Sequence, residues 1–240
     1  MISKNQIKFI KSLSLKKNRV KAQLFVAEGE KIVNELLNSE FEIEHIYATK
    51  QFSGINSSQL PAVTVVSNDE LSRISNLTSP NNVLAIVKVY QQELENNTGI
   101  TLVLDDVNDP GNLGTIIRMC DWFGVKQLIC SENTVDCYNA KVVQSAMGSL
   151  FRVKIKYLNL ATYLSAIDVP IYGAFMDGVG VKEQELPSQA HLVMGNEANG
   201  ISSAISECIT NKVSIKNIGN NAESLNVAVA TSILLHEFCS

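Results

Sequence analysis

Three segments combine the residue types and spacing that ligand-binding loops need: Asn108–Gly114 (NDPGNLG) leading to Arg118, Met194–Ser202 (MGNEANGIS), and Asn217–Asn226 (NIGNNAESLN). Each is built largely from Asn, Ser, Glu and Gly. Such side chains donate and accept hydrogen bonds, and the glycines let the backbone come close to a ligand. What is missing narrows the chemistry. No G-x-G-x-x-G follows the strand before the first loop, and no G-x-x-x-x-G-K-[ST] occurs anywhere, so dinucleotide and P-loop chemistry lose their main support. There is no H-E-x-x-H, and His45, His191 and His236 are dispersed, each read as ordinary structure. The five cysteines (Cys120, Cys130, Cys137, Cys208, Cys239) are odd in number and never spaced C-x-x-C, so reduced thiols are expected, with no disulfide frame and no metal site.

Loops of this kind are useful only if strands hold them. From Ile100 onward apolar strands alternate with helices: Thr101–Val107, Val125–Cys130, Phe151–Tyr157, Ile171–Met176, His191–Gly195 and Val213–Lys216 read as strands. Leu113–Phe123 has Leu113, Ile116, Ile117 and Cys120 at helical spacing, Lys141–Leu150 reads as a helix, and a last helix covers Leu225–Phe238. This alternation predicts an α/β domain with a mainly parallel sheet, in which ligands sit outside the carboxyl ends of the strands. Residues 1–92 read as a smaller mixed α/β unit. A helical pattern covers Phe25–Leu37, strands cover Ile43–Thr49, Ala62–Val66 and Val83–Val89, and Ser67 with Glu70 forms a capping box. Within the polar run Gln91–Gly99, residues 93–99 serve as linker to a domain at 100–240.

Hydrophobic content of 45% with 18% charged residues is ordinary for a globular chain. The N-terminus lacks an apolar core of signal-peptide length and no stretch is long enough to span a membrane, so a cytoplasmic protein is expected. The net charge of −4 hides an asymmetry: residues 1–31 hold eight Lys/Arg against Glu28 and Glu30, a balance of +6, leaving −10 for the rest. Lys16, Lys17 and Arg19 lie in that basic segment and could meet phosphates, or simply form a solvated helix face. Arg152, Lys154 and Lys156 alternate along a predicted strand and so share one face, to track phosphates or to protect a sheet edge.

Three runs, DPGNLGTIIR (109–118), LVMGNEANGIS (192–202) and ESLNVAVATSILLHEF (223–238), resemble the three ordered motifs of the SpoU/TrmH branch of the SPOUT RNA methyltransferases. SAMGSLFRV (145–153) is similar to the same family, and FVAEGEKIV (25–33) resembles the RNA-binding domain often fused ahead of it. The resemblance implies a deep trefoil knot in the C-terminal domain, a homodimer built around it, S-adenosylmethionine as cofactor, and methyl transfer to a ribose 2′-hydroxyl of RNA. It carries Asn112 and Arg118, Glu197, and Ser224 and Asn226 to catalytic positions, and Met194, Gly195, Ile215, Ile218 and Leu225 to the cofactor site. This chain departs from the family's frequent Ile-Pro-Met at Ile215-Lys216-Asn217, where the following loop is slightly longer. The last helix has apolar residues on nearly every side, which independently suits a buried or dimer-forming helix.

A ribose hydroxyl is a poor acid, and the family assigns its proton to the motif-one arginine. Because a guanidinium is normally protonated at working pH, a first role for Arg118 in gripping a phosphate and orienting the ribose is expected, with base function second. The two-domain layout favours large-subunit ribosomal RNA. Transfer RNA, and a non-catalytic RNA-binding or ribosome-assembly role on the same fold, remain as alternatives.

Overall fold

The chain is described by a computed structural model covering residues 1–56, 62–90, 93, 98–219 and 223–240, with side chains described at all of these but 55 and 56. Most of the expected linker (94–97) and part of the third loop (220–222) lie outside the described residues. The chain divides into two units: residues 1–91 with 136–151, and residues 92–135 with 152–240.

The first unit is a four-stranded mixed sheet. Its strands β1 (Leu24–Glu28), β2 (Ile43–Ala48), β3 (Val63–Val65) and β4 (Val83–Lys88) lie in the order β1-β4-β2-β3. β4 runs antiparallel to both neighbours, and β3 runs parallel to β2. Helices α1 (Lys4–Ser12), α2 (Lys16–Ala22), α3 (Glu30–Leu37) and α4 (Asn68–Ile74) accompany it. Ile10, Leu71 and Ile74 from the helices and Leu13 just after α1 pack with Val26, Leu84 and Ile86 from the sheet to form its core. The capping box at Ser67 is present: Ser67 Oγ accepts the Glu70 amide at 3.2 Å and Glu70 accepts the Ser67 amide at 3.1 Å. The helix expected over Phe25–Leu37 is corrected. Residues 24–28 are a strand paired along its length with β4, and the helix begins only after Gly29, whose φ of +95° turns the chain. Phe25 and Ala27 are fully buried in that strand, so long-range pairing overrides local helical spacing.

The second unit carries six strands: β5 (Ile100–Leu104), β6 (Gln127–Ser131), β7 (Lys154–Leu158), β8 (Ile171–Gly180), β9 (Ala190–Met194) and β10 (Asn211–Ser214). All pair in parallel, in the order β10-β8-β9-β5-β6-β7. Helices α5 (Pro110–Trp122), α7 (Leu160–Ser165), α8 (Ser203–Ser206) and α9 (Val227–Phe238) belong to this unit, whereas α6 (Ala140–Ala146), which follows β6 in sequence, packs on β1 in the first. β5, β6 and β9 are buried at every residue, as a parallel sheet covered on both faces requires. The expected fold class, an α/β chain with a parallel C-terminal sheet behind a smaller mixed unit, holds. Strand β5 ends earlier than its apolar run suggests. Asp105 and Asp106 leave the strand, and Asp106 takes a left-handed φ of +58°. β7 begins later than expected, since Ser149–Phe151 form a short 3₁₀ turn, so Arg152 lies outside the strand that Lys154 and Lys156 occupy. β7 is an edge strand. Among the described residues no helix is long and apolar enough to cross a membrane.

Candidate active site

In this strand order β5 and β9 are neighbours although β6, β7 and β8 come between them in sequence, so the loops leaving their carboxyl ends emerge side by side. The loop after β5 turns at Asp106, where a non-glycine residue with positive φ must be held by its surroundings. Ser131 at the end of β6 holds it twice: Ser131 Oγ donates to Asp106 Oδ1 at 2.6 Å and accepts the Asp106 amide at 2.9 Å. The turned carbonyl of Asp106 then accepts Asn196 Nδ2 from the loop after β9 at 2.7 Å. Asp105, almost fully buried, accepts the Ser202 amide at 2.7 Å.

Glu197 ties the same loops at a second point. Its carboxylate accepts the amides of Asn108 (3.3 Å) and Asp109 (3.2 Å) and the Nδ2 group of Asn112 (3.0 Å). Partial burial works to raise its pKa, but hydrogen bonds from Asn112 and from backbone amides outweigh that and hold it below the usual carboxylate range. Asn112 in turn accepts Asn226 Nδ2 at 3.0 Å on its own Oδ1. Asn226 caps α9, its Oδ1 accepting the amides of Ala228 (2.9 Å) and Val229 (3.3 Å). Asp109 caps α5 in the same way, with Pro110 at the first helical position. A continuous chain Asn226–Asn112–Glu197 therefore joins all three loops.

Beside this chain lies a cavity of about 600 Å³. Met194, Gly195, Ile215, Ile218 and Leu225, expected around the cofactor, all line it, together with Glu197, Ser224 and Asn226. Gly195 could be nothing else, because a Cβ there would stand 2.2 Å from the backbone of Gly200 and Ile201. The structure does not bring every expected residue to this wall. Asn112 reaches it only through its partners, and Arg118 is exposed on α5 with no hydrogen bond or ion pair to a described residue. Sequence reading placed Ala174, Phe175 and Met176 in a strand without assigning them to the site, and β8 contributes all three to the cavity. It also missed Asp106, Ser131 and Asn196, for which the only local signal is the acidic pair that interrupts an apolar strand.

The phosphate-contacting expectations divide. Lys16 and Lys17 are exposed. Arg19 is corrected: only 3% exposed, it donates to the carbonyls of Leu13 (2.9 Å) and Ser14 (2.8 Å), and its Nε donates to Asp136 at 3.0 Å. A guanidinium so enclosed has its donors engaged within the first unit. Arg152 grips Asp121 with two nitrogens, Nε at 3.0 Å and Nη2 at 2.8 Å, while staying partly exposed. Among the described residues no cluster of acidic, cysteine and histidine side chains is placed to hold a metal.

Strand order, loops and cavity define an α/β protein whose ligand site lies at the carboxyl edge of a parallel sheet. Residues 99–236 match the SpoU rRNA Methylase family and residues 4–85 match the MRM3-like substrate binding domain, and the chain belongs to the SpoU rRNA methylase family. It is 34% identical to RlmP of Bacillus subtilis, a 23S rRNA guanosine 2′-O-methyltransferase, over 98% of this chain and 96% of that protein. A TrmH-family protein from Porphyromonas gingivalis has a similar structure, with a TM-score of 0.92 and 37% identity over 99% of this chain and 98% of that one. The AdoMet-bound rRNA methyltransferase of Sinorhizobium meliloti aligns with a TM-score of 0.88 and 28% identity, covering 99% of this chain and 95% of that one.

Proposed function

We propose that this chain transfers a methyl group from S-adenosylmethionine to a ribose 2′-hydroxyl of large-subunit ribosomal RNA, and that it works as a cytoplasmic homodimer. The observation that carries the reading is the chain Asn226–Asn112–Glu197, which fastens three loops around one cavity. The cavity suits the cofactor: apolar walls from Met194, Ile215, Ile218 and Leu225 can cover an adenine, and Gly195 lets the backbone approach closely. When bound, the cofactor would supply a methyl group on a sulfonium, for an attacking hydroxyl that gives up its proton to a base or to solvent.

The protein's own share is positioning. Glu197, Asn112 and Asn226 act as positioning residues that fix the loops before substrate arrives, and Ser224 offers a hydroxyl on the cavity wall. Arg118, exposed and without a partner among the described residues, takes a phosphate and orients the ribose, with proton acceptance as its second role. Residues 1–92 serve as the RNA-recognising part, 93–99 as the linker and 100–240 as the transfer domain with the family's knotted threading. Exposed Lys16 and Lys17 supply phosphate contacts, and the partly exposed Arg152 adds to them from outside β7. Dimerisation is supported by apolar side chains left open on α5 and α9, Trp122 (80% exposed) and Val229 (49% exposed).

The test is titration calorimetry with S-adenosylmethionine and NAD, followed by mapping of 2′-O-methyl groups in a deletion strain and its complemented partner. S-adenosylmethionine binding and one ribosomal 2′-O-methyl group that disappears on deletion are expected. NAD binding in its place, or a lost methyl group confined to transfer RNA, would overturn the reading.

A further inference from the structure

The first unit has a cavity of its own, of about 440 Å³, bounded by segments far apart in sequence: β1, the turn after α1, the loop after α4, and α6. Part of its lining is apolar, from Val26, Leu77 and Val143. Amides and hydroxyls from Ser14, Asn76, Thr78, Asn139 and Gln144 also line it, and the loop after α4 is tied to β1. Glu28, 6% exposed, directs its carboxylate inward to accept the Asn76 amide at 2.9 Å and the Ser75 hydroxyl, and Ser75 Oγ accepts the Leu77 amide at 3.0 Å. The negative charge at the cavity is therefore already engaged by the protein.

The side chains of Asn76 and Thr78 are left over. Both are exposed, and neither makes a hydrogen bond to a described residue. Gln144 lines the same cavity, and its Nε2 makes one long contact, 3.4 Å to the Glu28 carbonyl, which leaves its Oε1 to accept. Lys141 is among the lining residues, and exposed Lys16 and Lys17 follow Ser14, another lining residue, by two and three positions in the chain.

Apolar lining, neutral donors and acceptors, and lysines near in the chain are what a single nucleotide needs. Its base face meets carbon, its edge meets amides, and its phosphates meet ammonium groups. The volume falls within the range of small-ligand sites, roughly 300–1,000 Å³, which admits a nucleoside and not a duplex. We propose that this cavity receives one unpaired nucleotide of the RNA substrate, away from the reacting ribose. Resting on the methyltransferase reading, this assigns the first unit a site that reads sequence in addition to its phosphate contacts.

Two measurements test it on the full chain. Ultraviolet cross-linking of the unsubstituted protein to large-subunit ribosomal RNA from a deletion strain, followed by mass spectrometry, should place a cross-linked nucleotide on the peptides bearing 76–78 or 141–144. The double variant Asn76→Ala/Thr78→Ala should raise the KM for RNA about tenfold, with turnover recovered at saturating RNA and S-adenosylmethionine affinity unchanged. Cross-links confined to other peptides, or an unaltered KM in a protein that methylates normally, would overturn the nucleotide site alone. If the unsubstituted protein transferred no methyl group to that RNA, both this inference and the reading beneath it would fall.

Discussion

Two arginines, one in each unit, look alike in the sequence: each is a cation near a stretch that could meet RNA. In the first unit Arg19 is buried against Asp136 and two carbonyls, and in the second Arg118 stands exposed with no partner among the described residues. The difference shows what sorts structural from functional cations. A guanidinium whose donors are already satisfied inside the fold has nothing left for a phosphate, and removing it leaves a partly buried carboxylate uncompensated. An exposed guanidinium without a partner costs little to hold and keeps all its donors for substrate.

The sharpest way to break that comparison is Arg118→Ala. Turnover should fall by about 10²-fold or more, with S-adenosylmethionine affinity and thermal stability near wild type, because Arg118 does not line the cavity. Full turnover in a single-turnover assay would return Arg118 to the ordinary surface. Arg19→Ala should give the opposite phenotype, a loss of about 3 kcal/mol in urea unfolding of the first unit, and any loss of RNA binding should track the unfolded fraction. A stable Arg19→Ala protein with selectively weakened RNA binding would reinstate the phosphate-contacting role.

A third test uses a buried group that belongs to neither arginine. His191 in β9 contacts the Tyr163 hydroxyl at 2.8 Å through Nε2, and burial pushes its pKa down to about 4. The folded state therefore binds this proton less readily than the unfolded chain, whose histidine titrates near 6.5. Its contribution is fully present above about pH 6.5, declines as pH falls, and is exhausted near pH 4, at a cost of at most about 3 kcal/mol. Urea midpoints of wild type and His191→Gln should then converge in slope above about pH 7 and diverge between about pH 6.5 and 4. Parallel slopes throughout would show that His191 is not the titrating group. The smallest effect is expected for Lys16→Ala/Lys17→Ala. Here the slope of log affinity against log salt should shrink by about 1.5, with stability unchanged, and an unaltered slope would remove both lysines from the interface.

Much of the site is legible in the sequence. The three loops stand out by composition, and Met194, Gly195, Ile215, Ile218 and Leu225 do line one cavity. The contribution of β8 is not legible, because Ala174, Phe175 and Met176 read as ordinary strand residues and only the tertiary fold brings the third loop beside them. Nor is the strained turn at Asp106, which depends on Ser131, 25 residues away.

What the sequence determines by itself is whatever is set within a few residues. The capping box at Ser67, the caps at Asp109 and Asn226, the apolar runs of the parallel strands and the glycine of the second loop all fall in that class. What only the tertiary structure decides is which of several equivalent local choices finds a distant partner. Phe25–Glu28 is a strand because β4 pairs with it, Arg19 is buried because Asp136 lies 117 positions on, and Asn112 meets Glu197 across 85. Local patterns report backbone preference and amphipathicity, each worth about a kcal/mol or less per residue. Burying or pairing a charge decides larger sums, and its partner is chosen by topology.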